Sequence, residues 1–112
     1  MSSTDPYLGD DFYCDVALRN VEALDVVHHG PAVVAYHHTR PFWPVHIVVV
    51  PKAHIRSLTT VTTADEPVIR ELLQVVQVVA AEVETRHGAV MILTNLGTYQ
   101  DSKHLHVHVC SG

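Results

Sequence analysis

The sequence contains little cysteine, few basic residues and no long apolar segment. Its two cysteines, Cys14 and Cys110, are too few for a disulfide framework and form no Cys-x-x-Cys zinc motif. We therefore expect free thiols in a reducing compartment. The formal net charge of −5 argues against a nucleic-acid polymer as partner, because such partners select a basic surface.

The apolar segments are also too short for a membrane span. One of the longest covers residues 47–50, and the N-terminal residues lack the basic start and apolar stretch of a signal peptide. These features predict a cytoplasmic protein without a membrane partner. With 112 residues and 47% hydrophobic residues, the chain suits one domain with a substantial core. We expect a flexible leader over residues 1–11 and a single domain over residues 12–112.

The clearest periodic element is a helix that ends at about His87. Residues 62–65 offer capping side chains, Pro67 is tolerated in a first turn, and Gly88 is placed to end the helix. Its apolar residues are mostly valines, and together they form a face that is wider than the apolar stripe of a surface helix. Because valine is a mediocre helix former, packing has to stabilise this helix. One face should cover a sheet. The other face either meets a second subunit in a homodimer or is buried within the same chain.

Five segments have the composition of strands and are separated mostly by turn residues. They cover residues 24–28, 32–37, 45–50, 89–94 and 103–110. With the long helix and a short helix over residues 12–20, they predict an α+β domain built on a five-stranded antiparallel sheet.

Three histidines alternate with aliphatic residues near the C-terminus, at His104, His106 and His108. In a strand, alternate side chains share a face, so the three imidazoles should lie together while the aliphatic residues face the core. Histidine can act as nucleophile, acid, base or metal ligand near neutral pH. This pattern predicts a catalytic or nucleotide-binding face, with a metal site and a purely structural face as alternatives.

Three blocks of the sequence occur in the order found in a known enzyme family. They are His46-Ile-Val-Val-Val-Pro-Lys-Ala-His-Ile55, Asn95-x-Gly97 and Gln100-x-x-x-His-Leu-His-Val-His-Val109. Together they resemble the histidine triad (HIT) superfamily of nucleotidyl hydrolases and transferases, and most closely its Hint-like branch. The resemblance covers roughly residues 12–110 and implies a HIT-like fold.

The resemblance implies a two-step reaction at the α-phosphate of a nucleotide-like phosphoramidate or phosphate ester. His106 would be the nucleophile and would form a covalent nucleotidyl-histidine. His108 would donate hydrogen bonds to the phosphate oxygens, while His104 and His46 would form a supporting network. No cofactor is implied for this phosphoramidase-like chemistry.

Five further positions match or depart from the family pattern near the substrate. Asn95 and Gln100 match positions near the phosphate and leaving-group oxygens. Asp101 replaces a usual serine, so it could donate a proton if its surroundings keep it protonated, or favour a cationic amine if they do not. His38 replaces an aspartate that binds the ribose, and Trp43 could stack on a base or serve only in packing.

Two other functions remain open from the sequence. A nucleotide- or metabolite-binding module without turnover is favoured by the replacements at Asp101 and His38. A metalloprotein could use His104, His108 and His46, since neutral imidazoles suit transition metals. The zinc-binding cysteines frequent in the family are absent apart from Cys14, so we expect no metal site.

Overall fold

The sheet and its helix follow the predicted order along the chain. The structure is a computed structural model that describes Gly9 and residues 11–112. The strands are β1 (Val26–His29), β2 (Val33–His37), β3 (Val45–Pro51), β4 (Met91–Leu93) and β5 (Val107–Ser111), and the helix is α1 (Glu66–His87). All pairings are antiparallel in the order β1-β2-β3-β5-β4. The α+β fold class predicted from the sequence is confirmed.

Helix α1 begins and ends where its capping residues predict. A short 3-10 turn, Thr63–Asp65, precedes α1 and is capped by the Thr62 N–H, which donates to the Asp65 carboxylate over 2.9 Å. Asp65 is then the N-cap residue of α1, without a side-chain cap bond, and Pro67 lies in the first turn. Gly88 ends the helix with φ 80°, a left-handed conformation that glycine adopts without a steric penalty. Its buried side chains are Leu72, Val75, Val76, Val79, Ala80 and Val83.

The two faces of the sheet are covered differently. Helix α1 packs on one face against a core that includes Val49, Leu105 and Val109. The opposite face is covered by a short π-helical segment, Tyr13–Ala17, where the sequence predicted a helix over residues 12–20. The candidate site lies on this second face.

The histidine segment is a strand for only part of its predicted length. Strand β5 begins at Val107, so His108 lies in the sheet while His104 and His106 precede it. Val107 pairs with Val49, and two residues further the same register would set Leu105 opposite Pro51. Proline has no N–H for a ladder bond, and the Leu105 N–H instead donates to the Ile55 carbonyl over 2.6 Å.

The expected leader falls mostly outside the described residues, which exclude residues 1–8 and Asp10. Asp11, its last residue, is buried. No helix in the described part of the chain has both the length and the hydropathy to cross a membrane. The cytoplasmic location stays a prediction.

Candidate active site

A cavity of about 570 Å³ opens on the second face of the sheet. It brings together most of the side chains that the sequence singled out, although they come from four parts of the chain. Those that line it are His38, Trp43, His46, Asn95, Asp101, His106 and His108.

His106 is buried and held in one tautomer by the backbone. Its Nδ1–H donates to the His104 carbonyl over 2.7 Å, which leaves the lone pair on Nε2. The ring of Tyr13 packs against it with centroids 4.6 Å apart. Burial lowers the pKa of His106, and the negative charges of Asp101 and Asp11 offset this only in part. The imidazole is therefore neutral and nucleophilic at neutral pH.

His46 and His108 form a hydrogen-bonded pair across strands β3 and β5. The Phe42 N–H donates to His46 Nδ1 over 3.0 Å, so the proton of the neutral His46 ring is on Nε2. That N–H donates to His108 Nδ1 over 2.8 Å, which leaves the Nε2–H of His108 as a free donor. Burial, together with the neighbouring imidazoles, lowers the pKa of His108 to about 3.

His38 extends this group of imidazoles along the cavity wall. Its ring stacks on His46 with centroids 4.3 Å apart, and its Nδ1 accepts the Arg40 N–H over 2.9 Å. Burial lowers the pKa of His38 to about 4. Trp43 meets the same His46 ring edge-on at 5.1 Å. This part of the cavity therefore offers a neutral donor and aromatic surfaces, with no carboxylate at position 38.

Two of the predicted site residues do not line the cavity. Gln100 is buried, and its Nε2 donates to the Arg56 carbonyl over 2.8 Å. Its contact with the phosphate or leaving group stays a prediction. His104 is also absent from the cavity lining, and its carbonyl accepts the Nδ1–H of His106. Its hydrogen bond to His106 is therefore made by the backbone.

The cavity also has wall residues that sequence reasoning missed. Ser102, next to Asp101, accepts the Phe12 N–H over 2.9 Å. Several of them are aromatic, and the sequence does not distinguish aromatic residues that line a cavity from those that pack in the core. The aromatic wall residues are Phe12, Tyr13, Tyr36, Phe42 and Tyr99.

A second cluster of polar side chains lies next to the cavity. One ligand atom each of Asp11, Cys14, His54 and His104 lies within 4.8 Å of all the others. The His104 Nδ1 lies 3.1 Å from the Asp11 carboxylate and 3.2 Å from Cys14 Sγ, and His54 Nδ1 also contacts Asp11. An Asp-x-x-Cys spacing followed by Pro-x-x-His could have pointed to this cluster. The sequence reasoning considered only cysteine pairs.

The donors and acceptors of this cluster favour a proton or a metal ion between His104 and Asp11. The Nε2–H of His104 donates to the Pro51 carbonyl over 2.8 Å, and its Nδ1 faces Asp11. Burial raises the pKa of Asp11, but the Cys14 N–H and positive charge at His104 stabilise the carboxylate and lower the pKa overall. Two acceptors this close need a proton or a metal ion between them.

The metal set that the sequence left open as an alternative is not brought together in the structure. His104 belongs to the cluster with Asp11, whereas His46 and His108 form a separate group with His38. The alternative set of His104, His108 and His46 is therefore not assembled. In the second group, the His38 and His46 Nδ1 atoms accept backbone N–H groups and His108 Nδ1 accepts from His46, so its lone pairs are used.

The chain is similar to several known proteins over nearly its whole length. A protein-family model described as "Scavenger mRNA decapping enzyme C-term binding" matches residues 10–112. An uncharacterized HIT-like protein of Synechococcus elongatus is 30% identical over 92% of this chain and 90% of its own. Protein HitA of Neisseria gonorrhoeae is 28% identical over 87% of this chain and 91% of its own.

Solved structures show the same fold. A histidine triad protein from Clostridium difficile superposes with a TM-score of 0.76 at 26% identity, covering 96% of this chain and 94% of its own. A HIT family hydrolase from Clostridium thermocellum superposes with a TM-score of 0.77 at 20% identity, covering 95% and 93%.

Proposed function

The chain belongs to the histidine triad (HIT) superfamily, and on that premise we propose that it is a nucleotidyl hydrolase or transferase that acts through His106. The proposal rests on the tautomers of His106 and His108, which their hydrogen bonds to the His104 carbonyl and to His46 fix. The remaining lone pair of His106 and the remaining N–H of His108 belong to neighbouring rings whose centroids are 4.9 Å apart in one cavity. A nucleophile and a donor this close suit attack on a phosphate.

The reaction has two displacements at phosphorus. In the first, His106 Nε2 forms a bond to the α-phosphorus while the bond to the leaving nitrogen or oxygen breaks, and the leaving atom takes up a proton from solvent. In the second, a water oxygen bonds to phosphorus and loses a proton to solvent while the N–P bond breaks, which releases the nucleotide and restores neutral His106. The His108 Nε2–H stabilises the phosphate oxygens in both steps.

The remaining predicted residues then have separate roles. Asn95 lines the cavity and supplies an amide for a phosphate oxygen. Asp101 lines it too and is exposed, where it can contact an amine on the leaving group. His38 offers the nucleoside a neutral imidazole, and Trp43 an aromatic edge. The substrate class is thus a nucleotide-like phosphoramidate or ester.

The proposal is tested by intact-mass spectrometry of the full chain after brief exposure to a panel of nucleoside phosphoramidates and dinucleotides. We expect a mass increase of one nucleotidyl group, or turnover, with at least one compound. Binding of nucleotides without an adduct or turnover for any compound would instead support a binding module, the alternative that His38 favours.

The second cluster suits a zinc ion, the metal that the cysteines of many family members bind. Asp11, Cys14, His54 and His104 offer one oxygen, one sulfur and two nitrogens, the ligand types that zinc prefers. Four protein ligands close a tetrahedral site, so the ion would be structural. When bound, it would supply positive charge between Asp11 and His104, whose carbonyl positions the nucleophile.

Metal analysis of purified protein tests this cluster without measuring activity. We expect about one zinc per chain, and a melting temperature that falls by several degrees on chelation. Replacing His54 with alanine should remove most of the metal, because it deletes one ligand at a half-exposed position. His87→Ala, at the exposed end of α1, is the matched control and should keep it. Metal-free wild type with a normal melting temperature would contradict the assignment.

A homodimer is the proposed assembly, and the edge of the sheet at β4 supports it. β4 is the last strand of the sheet, and its Met91 and Ile92 are exposed. Leu73 and Val78 of α1 are exposed as well, at 63% and 62%. Leu73 and Ile92 line one shallow apolar groove, which places helix and edge strand on one surface. A second copy of the chain could cover this surface.

Ile92→Lys should shift the protein to a monomer in sedimentation velocity, because it adds a charge to the centre of this surface. Val26→Lys puts the same charge on β1, the opposite edge of the sheet, and should leave the dimer intact. If wild type sediments as a monomer at micromolar concentration, the proposed assembly is wrong.

A further inference from the structure

Tyr36 has a hydroxyl group that lacks a hydrogen-bond partner. The residue is only 1% exposed, and its Oη is the buried side-chain nitrogen or oxygen atom without a partner in the described part of the chain. Native proteins satisfy nearly all buried polar groups, because an unmade bond costs free energy. A hydroxyl in this state needs a reason in the function of the molecule.

The position of Tyr36 places this hydroxyl beside the catalytic histidines. Tyr36 pairs with Val48 across β2 and β3, and Val48 pairs with His108 across β3 and β5. Residues directly opposite in an antiparallel sheet share a face, so Tyr36 and His108 lie on the same face, with their Cα atoms about 10 Å apart. Tyr36 lines the same cavity as His106 and His108.

The chemistry of the hydroxyl selects a neutral partner. Burial raises the pKa of Tyr36, so the group stays protonated and can both donate and accept. The phosphate has its donor in His108, two strands away. A nucleotide whose phosphate meets His106 has to extend its sugar and base along the rest of the cavity, where Tyr36 lies in the wall.

We propose that Tyr36 is a specificity-determining residue, and that its hydroxyl hydrogen-bonds a neutral polar group on the nucleoside part of the ligand. The inference rests on the proposed function, because it needs a nucleotide in the cavity. The partner is a sugar hydroxyl or a polar atom on the edge of the base, and the ligand panel below separates the two.

The test compares Tyr36→Phe with wild type by calorimetric titration of adenosine, guanosine, cytidine and uridine monophosphates and their 2′-deoxy and 2′,3′-dideoxy forms. Loss of one hydrogen bond should weaken binding of at least one ribonucleotide by about 3- to 10-fold. If the partner is a sugar hydroxyl, the deoxy or dideoxy form should show no difference between the two proteins. If it is the base, the difference should follow the base and survive in the dideoxy form.

Thr85→Val is the control, because it also deletes one hydroxyl, but on the exposed surface of α1 outside the cavity. It should change each dissociation constant less than 2-fold, that is by about 0.4 kcal/mol or less. The stability of the ligand-free protein is a second readout. Removal of an unpartnered hydroxyl should leave the free energy of unfolding unchanged or higher.

Two failures are distinguishable in this experiment. If wild type binds nucleotides and Tyr36→Phe binds them all equally well, the inference is wrong, and a loss of stability in that variant would show that the hydroxyl has a structural partner instead. If wild type binds none of the nucleotides, the proposed function fails first and the inference falls with it.

Discussion

Replacing His106 with asparagine is expected to lower the turnover of any reactive nucleoside phosphoramidate on the order of 10⁴-fold or more, because losing a nucleophile removes the covalent route itself. Asparagine can keep a bond to the His104 carbonyl through its N–H₂ group but has no nucleophilic lone pair. The adduct should be absent from its mass spectrum. Steady-state kinetics and intact mass together measure the effect.

The matched control is His87→Asn, the same change at an exposed histidine outside the cavity, which should keep full activity. Because burial lowers the pKa of His106 below 6.5, its nucleophilic form persists as the pH falls through that value. The wild-type rate should therefore hold down to about pH 6.5 and fall only at lower pH. A His106→Asn protein that retains a tenth of the activity would refute the assignment of the nucleophile.

The second large effect is expected at His108. His108→Phe removes the N–H that we propose donates to the phosphate, and the loss of one such donor typically costs on the order of 100-fold in kcat. His46 acts through His108 by donating to its Nδ1, so His46→Phe should cost less. The double variant should be no slower than His108→Phe alone, because residues that act as a unit are not additive.

A double-mutant cycle on kcat and KM measures this coupling, with thermal melts to confirm that each variant folds. His38→Phe is the matched comparison. The His38 ring stacks on His46, whereas the hydrogen bond that orients His108 comes from His46. His38→Phe should change KM more than kcat. Independent, multiplying effects of His46→Phe and His108→Phe would show that His46 does not orient His108.

The parts of the fold that could be predicted are those with a local signal. The valine-rich strand β3 and the capped helix α1 follow from periodicity and from capping residues within a few positions. His46 and His108 could be placed near each other because the family motif contains both. The extent of β5 could not be predicted, because the strand begins only after the point where Pro51 lies opposite the histidine segment.

The second cluster has only a weak signal in the sequence because its members are distant from one another. Asp11 and His104 are 93 positions apart, and the Asp-x-x-Cys spacing of Asp11 and Cys14 does not identify either histidine as a partner. Gln100 also has a partner that its motif position does not predict. Its amide donates to the Arg56 carbonyl, 44 positions away in the sequence.

The adjacency of β3 and β5 has a consequence for the kinetics of folding. His46 and His108 are 62 positions apart, and the intervening chain contains all of α1. Contacts with a large sequence separation form late, since loop closure costs entropy before the pairing compensates for it. The helix can thus form while the phosphate donor is still unoriented. During refolding, catalytic competence should be among the last properties to return.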